Sequence, residues 1–352
     1  MRILKRTLYM VYIFLACFLL LELFVRLWGY SDRYIYDPIY QPFPGSKEIP
    51  YVHKPCLKSA KARGLALINT DSLGLRSSKS CEKYGVKEPG ELRIAIAGDS
   101  VTFGEGVKDT KDTYPERLQR ILSQKLPGIK VKVFNFGVSA YSVKEMAATL
   151  KEKMLGIQPD IVIMAVIPHD FDLGRTGIVD KWGYTIHTHP GSPFSRDSEV
   201  RNVLRHIHLL YLLRDLYNQY IREGNPQNRR CGSYDEVPAS YKYVKIFVET
   251  AKKNHIKYAV VLLPSLDREF SRRFKKQLKH DNIVVLDTSL LKDEFSMGQF
   301  MASPFDAHPS AAVHKAIAQK IANFILTNLL PMDIKGREDR FLPIDSESDN
   351  AT

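Results

Sequence analysis

Gly98-Asp99-Ser100-Val101 closes the apolar run Leu92-Arg93-Ile94-Ala95-Ile96-Ala97, and so sets one hydroxyl just beyond a predicted strand. Open α/β sheets build their ligand sites at that end of their strands. Ser100 is therefore the candidate nucleophile. A serine hydroxyl is weak at neutral pH and needs a base, an acid to orient the base, and donors for the oxyanion. His308 and Asp306, in Phe305-Asp306-Ala307-His308-Pro309, supply the first two. Taken alone, Gly-Asp-Ser reads more simply as a strand end and a helix cap, and Asp99 is structural on either reading.

These residues need a scaffold that brings distant segments together. After Ser100 the chain alternates between helical and strand patterns: helix Thr113–Leu126, strand Val131–Phe136, helix Ser142–Gly156 and strand Asp160–Ile167. The pattern pauses over 171–238, an insertion expected over the active face, with an amphipathic helix near Val200–Ile221. It resumes with helix Tyr241–Asn254, strand Tyr258–Leu263, helix Asp267–Lys279, strand Ile283–Leu286 and helix Ser310–Leu329. Buried Val/Ile runs separated by helices predict a parallel sheet covered on both faces, a three-layer flavodoxin-like α/β domain over 91–331. Residues 332–352 read as a flexible tail.

The first thirty residues set the compartment. Arg2, Lys5 and Arg6 precede Leu8–Val25, an apolar stretch interrupted only by Glu22 and long enough for one tilted span. Arg26, Leu27, Trp28 and Tyr30 form an interfacial collar, and no small-residue cleavage site follows, so 1–30 reads as an uncleaved signal anchor. The positive flank predicts a cytoplasmic amino terminus and a domain on the periplasmic or extracellular side. Residues 31–90 read as a membrane-proximal lead-in, with Asn69-Thr70-Asp71-Ser72-Leu73-Gly74-Leu75-Arg76 its most structured part. In an oxidising compartment Cys56 and Cys81 can pair, leaving Cys231 over.

The net charge of +12 is scattered, with no RNA-binding signature or zinc-finger spacing, so no nucleic-acid partner is expected. His187 and His189, like His206 and His208, lie two apart without a carboxylate or cysteine at ligand spacing, so neither a metal nor another cofactor is expected. Gly104-Glu105-Gly106 lacks the ending of a phosphate loop and reads as a turn.

Four blocks in order resemble the SGNH/GDSL hydrolase superfamily over roughly 69–330: Gly98-Asp99-Ser100, Asn135-Phe136-Gly137-Val138-Ser139-Ala140, Pro168-His169-Asp170 and Asp306-Ala307-His308-Pro309. The resemblance implies Ser100, His308 and Asp306 as catalytic residues, and Ser100, Ala140 and His169 as the oxyanion hole. It implies a serine esterase that takes small acyl groups, acetyl foremost, from a surface glycan or another small ester. A glycan O-acyltransferase and a catalytically weak glycan-binding or assembly factor are the alternatives. Three positions depart from the family pattern. Ala140 stands where glycine is usual, His169 where asparagine is usual, and Asp-x-His replaces Asp-x-x-His, with Phe305 at the usual acid position. His169 is left with two readings, an oxyanion donor or a hydrogen-bonded core residue.

Overall fold

The computed structural model describes residues 2–174, 176–186, 196–219, 239–265 and 268–330. Five parallel strands form the central sheet: β1 (Glu91–Gly98), β2 (Lys130–Gly137), β3 (Ile161–Val166), β4 (Lys257–Leu262) and β5 (Val285–Asp287). Their spatial order is β2-β1-β3-β4-β5. The chain leaves β1 toward one edge and returns to its other side for β3, so the end of β1 is the topological switch point. Ser100 stands there.

Alternate strand residues face opposite ways, and the two faces carry separate cores. Ala95, Phe134, Val162, Met164 and Val260 pack with α4 (Val143–Glu152), α7 (Tyr241–Lys253) and α8 (Arg268–His280). Ile94, Ile96, Ile163 and Val261 pack with α3 (Tyr114–Lys125) and α10 (Ala311–Phe324). The expected three-layer flavodoxin-like α/β fold is present. A strand with both faces covered has no room for a polar side, and this is why β3 in the middle of the sheet reads as an unbroken apolar run.

Two stretches differ from expectation. The lead-in is more ordered than its composition suggests: Tyr40–Pro42 pairs with Tyr51–His53, and Leu67–Thr70 pairs with Ala60–Lys61 and Arg76–Ser77. These strands share a third core containing Ile39, Tyr40, Ile49, Tyr51 and Ile68, to which Phe103 and Tyr141 of the sheet domain contribute. Cys56 and Cys81 are joined as a disulfide on the exposed side of the lead-in. Cys231 and the tail lie outside the described residues, as do His187 and His189.

The second difference is the amphipathic helix expected near Val200–Ile221, which is two helices, α5 (Glu199–Leu204) and α6 (His208–Tyr217). The break has a cause far away in sequence. Glu22 of α1 (Arg2–Trp28) accepts hydrogen bonds from the His208 and Leu209 backbone N–H groups at 3.0 and 2.7 Å. Those donors would otherwise serve a continuing helix, so the carboxylate starts α6 afresh. Glu22, the one charge inside the apolar stretch, is buried and also holds Arg26 at 2.7 Å. Val25 is also buried; between its basic ends the rest of α1 is mainly exposed and apolar, and the helix is long and apolar enough to cross a membrane.

Candidate active site

Ser100 opens the short helix α2 (Ser100–Phe103), and Asp99 caps it by accepting from the Val101 N–H at 2.9 Å. Gly98 has to be glycine here, because a Cβ would sit 1.9 Å from Thr102 Oγ1. Past α2 the chain turns through Gly104-Glu105-Gly106, and the buried Arg76 guanidinium clamps this turn by donating to the carbonyls of Phe103, Gly104 and Val107. The Leu-Gly-Leu-Arg stretch of the lead-in thus serves the site indirectly, by fixing the loop behind the nucleophile.

The last block is a hairpin in which Met301–Ser303 pairs with Asp306–Pro309. Its tight turn brings the short-spaced acid into place. Asp306 Oδ1 lies 2.6 Å from His308 Nδ1 and also accepts from the His308 backbone N–H at 3.1 Å. His308 Nε2 lies 3.0 Å from Ser100 Oγ. The structure therefore brings together Ser100, His308 and Asp306 in one hydrogen-bonded line, with the tautomer that leaves Nε2 free to accept fixed by the carboxylate. Gly106 permits the close approach, since its φ is +78° and a Cβ there would meet Ala302 at 2.5 Å and Asp306 at 3.0 Å. The final helix begins at Ala311, two residues past Pro309.

Burial alone would lower the His308 pKa, but the Asp306 hydrogen bond and the charges of Glu105 and Asp306 outweigh it and hold it above the usual value. Burial alone would likewise raise the Asp306 pKa, and the bond to His308 overcomes it and lowers it. Glu105 is the residue that sequence reasoning missed. It is buried, its Oε2 lies 3.4 Å from His308 Nε2, and its Oε1 accepts from Ser139 Oγ. A Gly-Glu-Gly turn gives no sign of a partner two hundred positions away. Replacing Glu105 by Gln keeps an acceptor for Ser139 and removes the charge, so the acid limb of kcat/KM should move to lower pH. A pH profile with an unmoved acid limb would remove Glu105 from the electrostatics of the base.

Ser100, His169 and His308 line a cavity of about 540 Å³ with apolar walls that include Ile167, Met297, Phe300 and Phe305. His169 is exposed on a 3-10 turn (Pro168–Phe171), so the core-residue reading of this histidine fails. The buried member of its block is Asp170, which caps the turn by accepting from the Ile167 N–H at 2.8 Å. Ala140 adopts φ +64°, the left-handed conformation in which the usual glycine costs nothing and an alanine costs about 1 kcal/mol. Neighbours on three sides hold this loop: Tyr51 donates to the Ser139 carbonyl, Thr176 to the Ala140 carbonyl, and Ser139 to Glu105.

The anchor end of the chain also reaches the site. Arg33 donates to the Phe305 carbonyl at 2.8 Å, and the Phe305 ring packs on Trp28 and Tyr30 with centroids 5.2 and 5.3 Å away. Among the described residues no group of three or more His, Cys, Asp or Glu side chains is arranged to hold a metal ion. His208 Nδ1 instead meets the Ser31 hydroxyl at 2.5 Å.

No family model and no curated protein matches the chain. Solved structures do. A G-D-S-L family protein from Desulfitobacterium hafniense is 19% identical, over 66% of this chain and 98% of its own, with a TM-score of 0.39. An acetyl-xylooligosaccharide esterase variant from a Geobacillus is 15% identical over 68% and 96%, with a TM-score of 0.40. A two-domain esterase active on acetylated mannans is 15% identical over 72% and 52%, with a TM-score of 0.37. These neighbours are G-D-S-L hydrolases and esterases of acetylated sugars.

Proposed function

We propose that this chain is a membrane-anchored serine esterase that removes small acyl groups, acetyl foremost, from a glycan on the outer side of the membrane. The observation that carries the reading is the Ser100–His308–Asp306 line at the wall of a cavity large enough for a ligand. Ser100 Oγ attacks the acyl carbonyl while His308 Nε2 takes its proton, and Asp306 stabilises the imidazolium that results. The negative charge that develops on the carbonyl oxygen is met by the N–H groups of Ser100 and Ala140 and by the His169 side chain. The proton then passes from His308 to the departing sugar oxygen, leaving an acyl-Ser100 ester. Water, deprotonated by the same imidazole, attacks that ester and frees the acid and Ser100.

The basic flank of Arg2, Lys5 and Arg6 supports a cytoplasmic amino terminus, with the lead-in and hydrolase domain outside. A fluorophosphonate needs only a competent nucleophile and no knowledge of the substrate, so the reading is tested by labelling the full chain in detergent. The expected result is one covalent adduct, mapped by mass spectrometry to the peptide containing Ser100. Hydrolysis of acetyl esters by a protein that forms no adduct at Ser100 would overturn the mechanism.

A further inference from the structure

A second cavity, about 420 Å³, lies against the catalytic one, and Tyr34 and Arg63 line both. Its wall carries four arginines, Arg63, Arg201, Arg205 and Arg214, and no Asp or Glu. The carboxylates that hold three of these arginines do not line the cavity. Asp180 meets Arg205 at 2.6 Å, Asp215 meets Arg214 at 2.9 Å, and Glu105 stands 3.9 Å from Arg63.

The guanidinium groups sit over tyrosine rings. Arg205 lies 4.0 Å over Tyr184, Arg214 lies 4.4 Å over Tyr34, and Arg63 lies 4.7 Å over Tyr36. The Nε–H groups of Arg63 and Arg205 are buried without an acceptor, so these guanidiniums keep donor capacity that the fold does not use. Planar donors held in place on aromatic rings match a carboxylate or phosphate oxyanion, and the tyrosine rings offer flat faces to the C–H side of a sugar. A neutral sugar can accept from these donors through its hydroxyls but leaves their positive charge uncompensated in the cavity.

We propose that this cavity seats an acidic sugar residue of the same glycan whose neighbouring residue presents its acyl group to Ser100. The proposal rests on the esterase reading above. The shared wall at Tyr34 and Arg63 favours a continuous chain of sugars over a separate lipid headgroup, because the occupants of the two cavities are then parts of one molecule.

The test reads binding without turnover, in full-length Ser100→Ala protein in non-ionic detergent, titrated calorimetrically with trigalacturonate and with maltotriose. Failure of the esterase reading leaves this titration intact, and failure of the titration leaves Ser100 labelling intact. The expected result is that trigalacturonate binds at least about tenfold tighter than maltotriose and that Arg201→Gln with Arg214→Gln removes the difference. Arg214→Lys keeps the charge and loses the planar fork, so it should weaken trigalacturonate binding severalfold at an unchanged melting temperature. Equal affinity for the two trisaccharides would overturn the proposal. So would undiminished binding by a folded Arg214→Lys protein, or tighter binding of soluble dihexanoylphosphatidylglycerol than of trigalacturonate.

Discussion

Replacing Ser100 with Ala is expected to lower turnover of acetyl esters at least roughly a thousandfold, the loss that accompanies removal of a nucleophile from such a triad. The same protein should melt close to the wild type. Ser100 Oγ lies 3.0 Å from His308 Nε2 and 3.2 Å from Asp99 Oδ2, and its single proton makes one of these bonds at a time, worth about 1 kcal/mol net. His308→Ala should cost as much in turnover as Ser100→Ala, and the double variant little more than either, because a nucleophile and its base act as one unit. Steady-state kinetics on the three proteins would decide the matter. Losses that multiply in the double variant would mean that Ser100 and His308 act separately, and the mechanism would fall.

The second large effect is on stability. His53 and His314 are both buried, and burial first, then nearby cations (Lys153 and Arg76 for His53; Arg76, His308 and Arg117 for His314), lowers each pKa to about 3. His53 stacks between Phe103 and Tyr40, and His314 Nδ1 accepts from the Tyr114 N–H at 3.0 Å, which requires the neutral ring. The unfolded chain takes these protons near pH 6.5 and the folded one does not. Stability is therefore complete above that value and falls as the pH drops toward 3, by up to about 1.4 kcal/mol per unit for each ring. At pH 5 the two together should cost about 4 kcal/mol relative to neutral pH. His308 works in the opposite sense: its pKa is raised, so its contribution is fully present below the unfolded value, is lost as the pH rises through the folded value, and offsets part of the acid loss. Thermal melts at pH 7 and pH 5 should show the fall, and His53→Phe should remove about half of it. Equal melting temperatures at the two pH values would show that neither ring is held neutral.

The parts of this molecule that could be read from sequence are those whose signal is local. The strands declared themselves as apolar runs because both faces of the sheet are covered, and the strand bounds fall within a residue or two of the pattern for β1 to β4. The candidate nucleophile and its partners could be read from sequence because Gly-Asp-Ser follows an apolar run and Asp-Ala-His precedes the last helix, in a fixed order. What escaped was set by contacts between distant segments. Glu105 faces His308 only because two loops meet, and the break between α5 and α6 is imposed by Glu22, about 185 positions earlier. The lead-in hid its core because tyrosines spread among Pro, Gly and Lys give no period, although Tyr40 and Tyr51 are fully buried. His169 was ambiguous because a histidine's two roles look alike until its exposure is known.

The contact of Trp28, Tyr30 and Arg33 with Phe305 ties the hairpin that holds Asp306 and His308 to the end of α1. Phe305 is the residue next to Asp306, so whatever loosens its ring and carbonyl loosens the acid that orients His308. For the anchored esterase proposed above, a proteolytic cut between Trp28 and Tyr30 would take the Trp28 ring off the hairpin that carries Asp306 and His308, so release from the membrane would also loosen the acid beside the base.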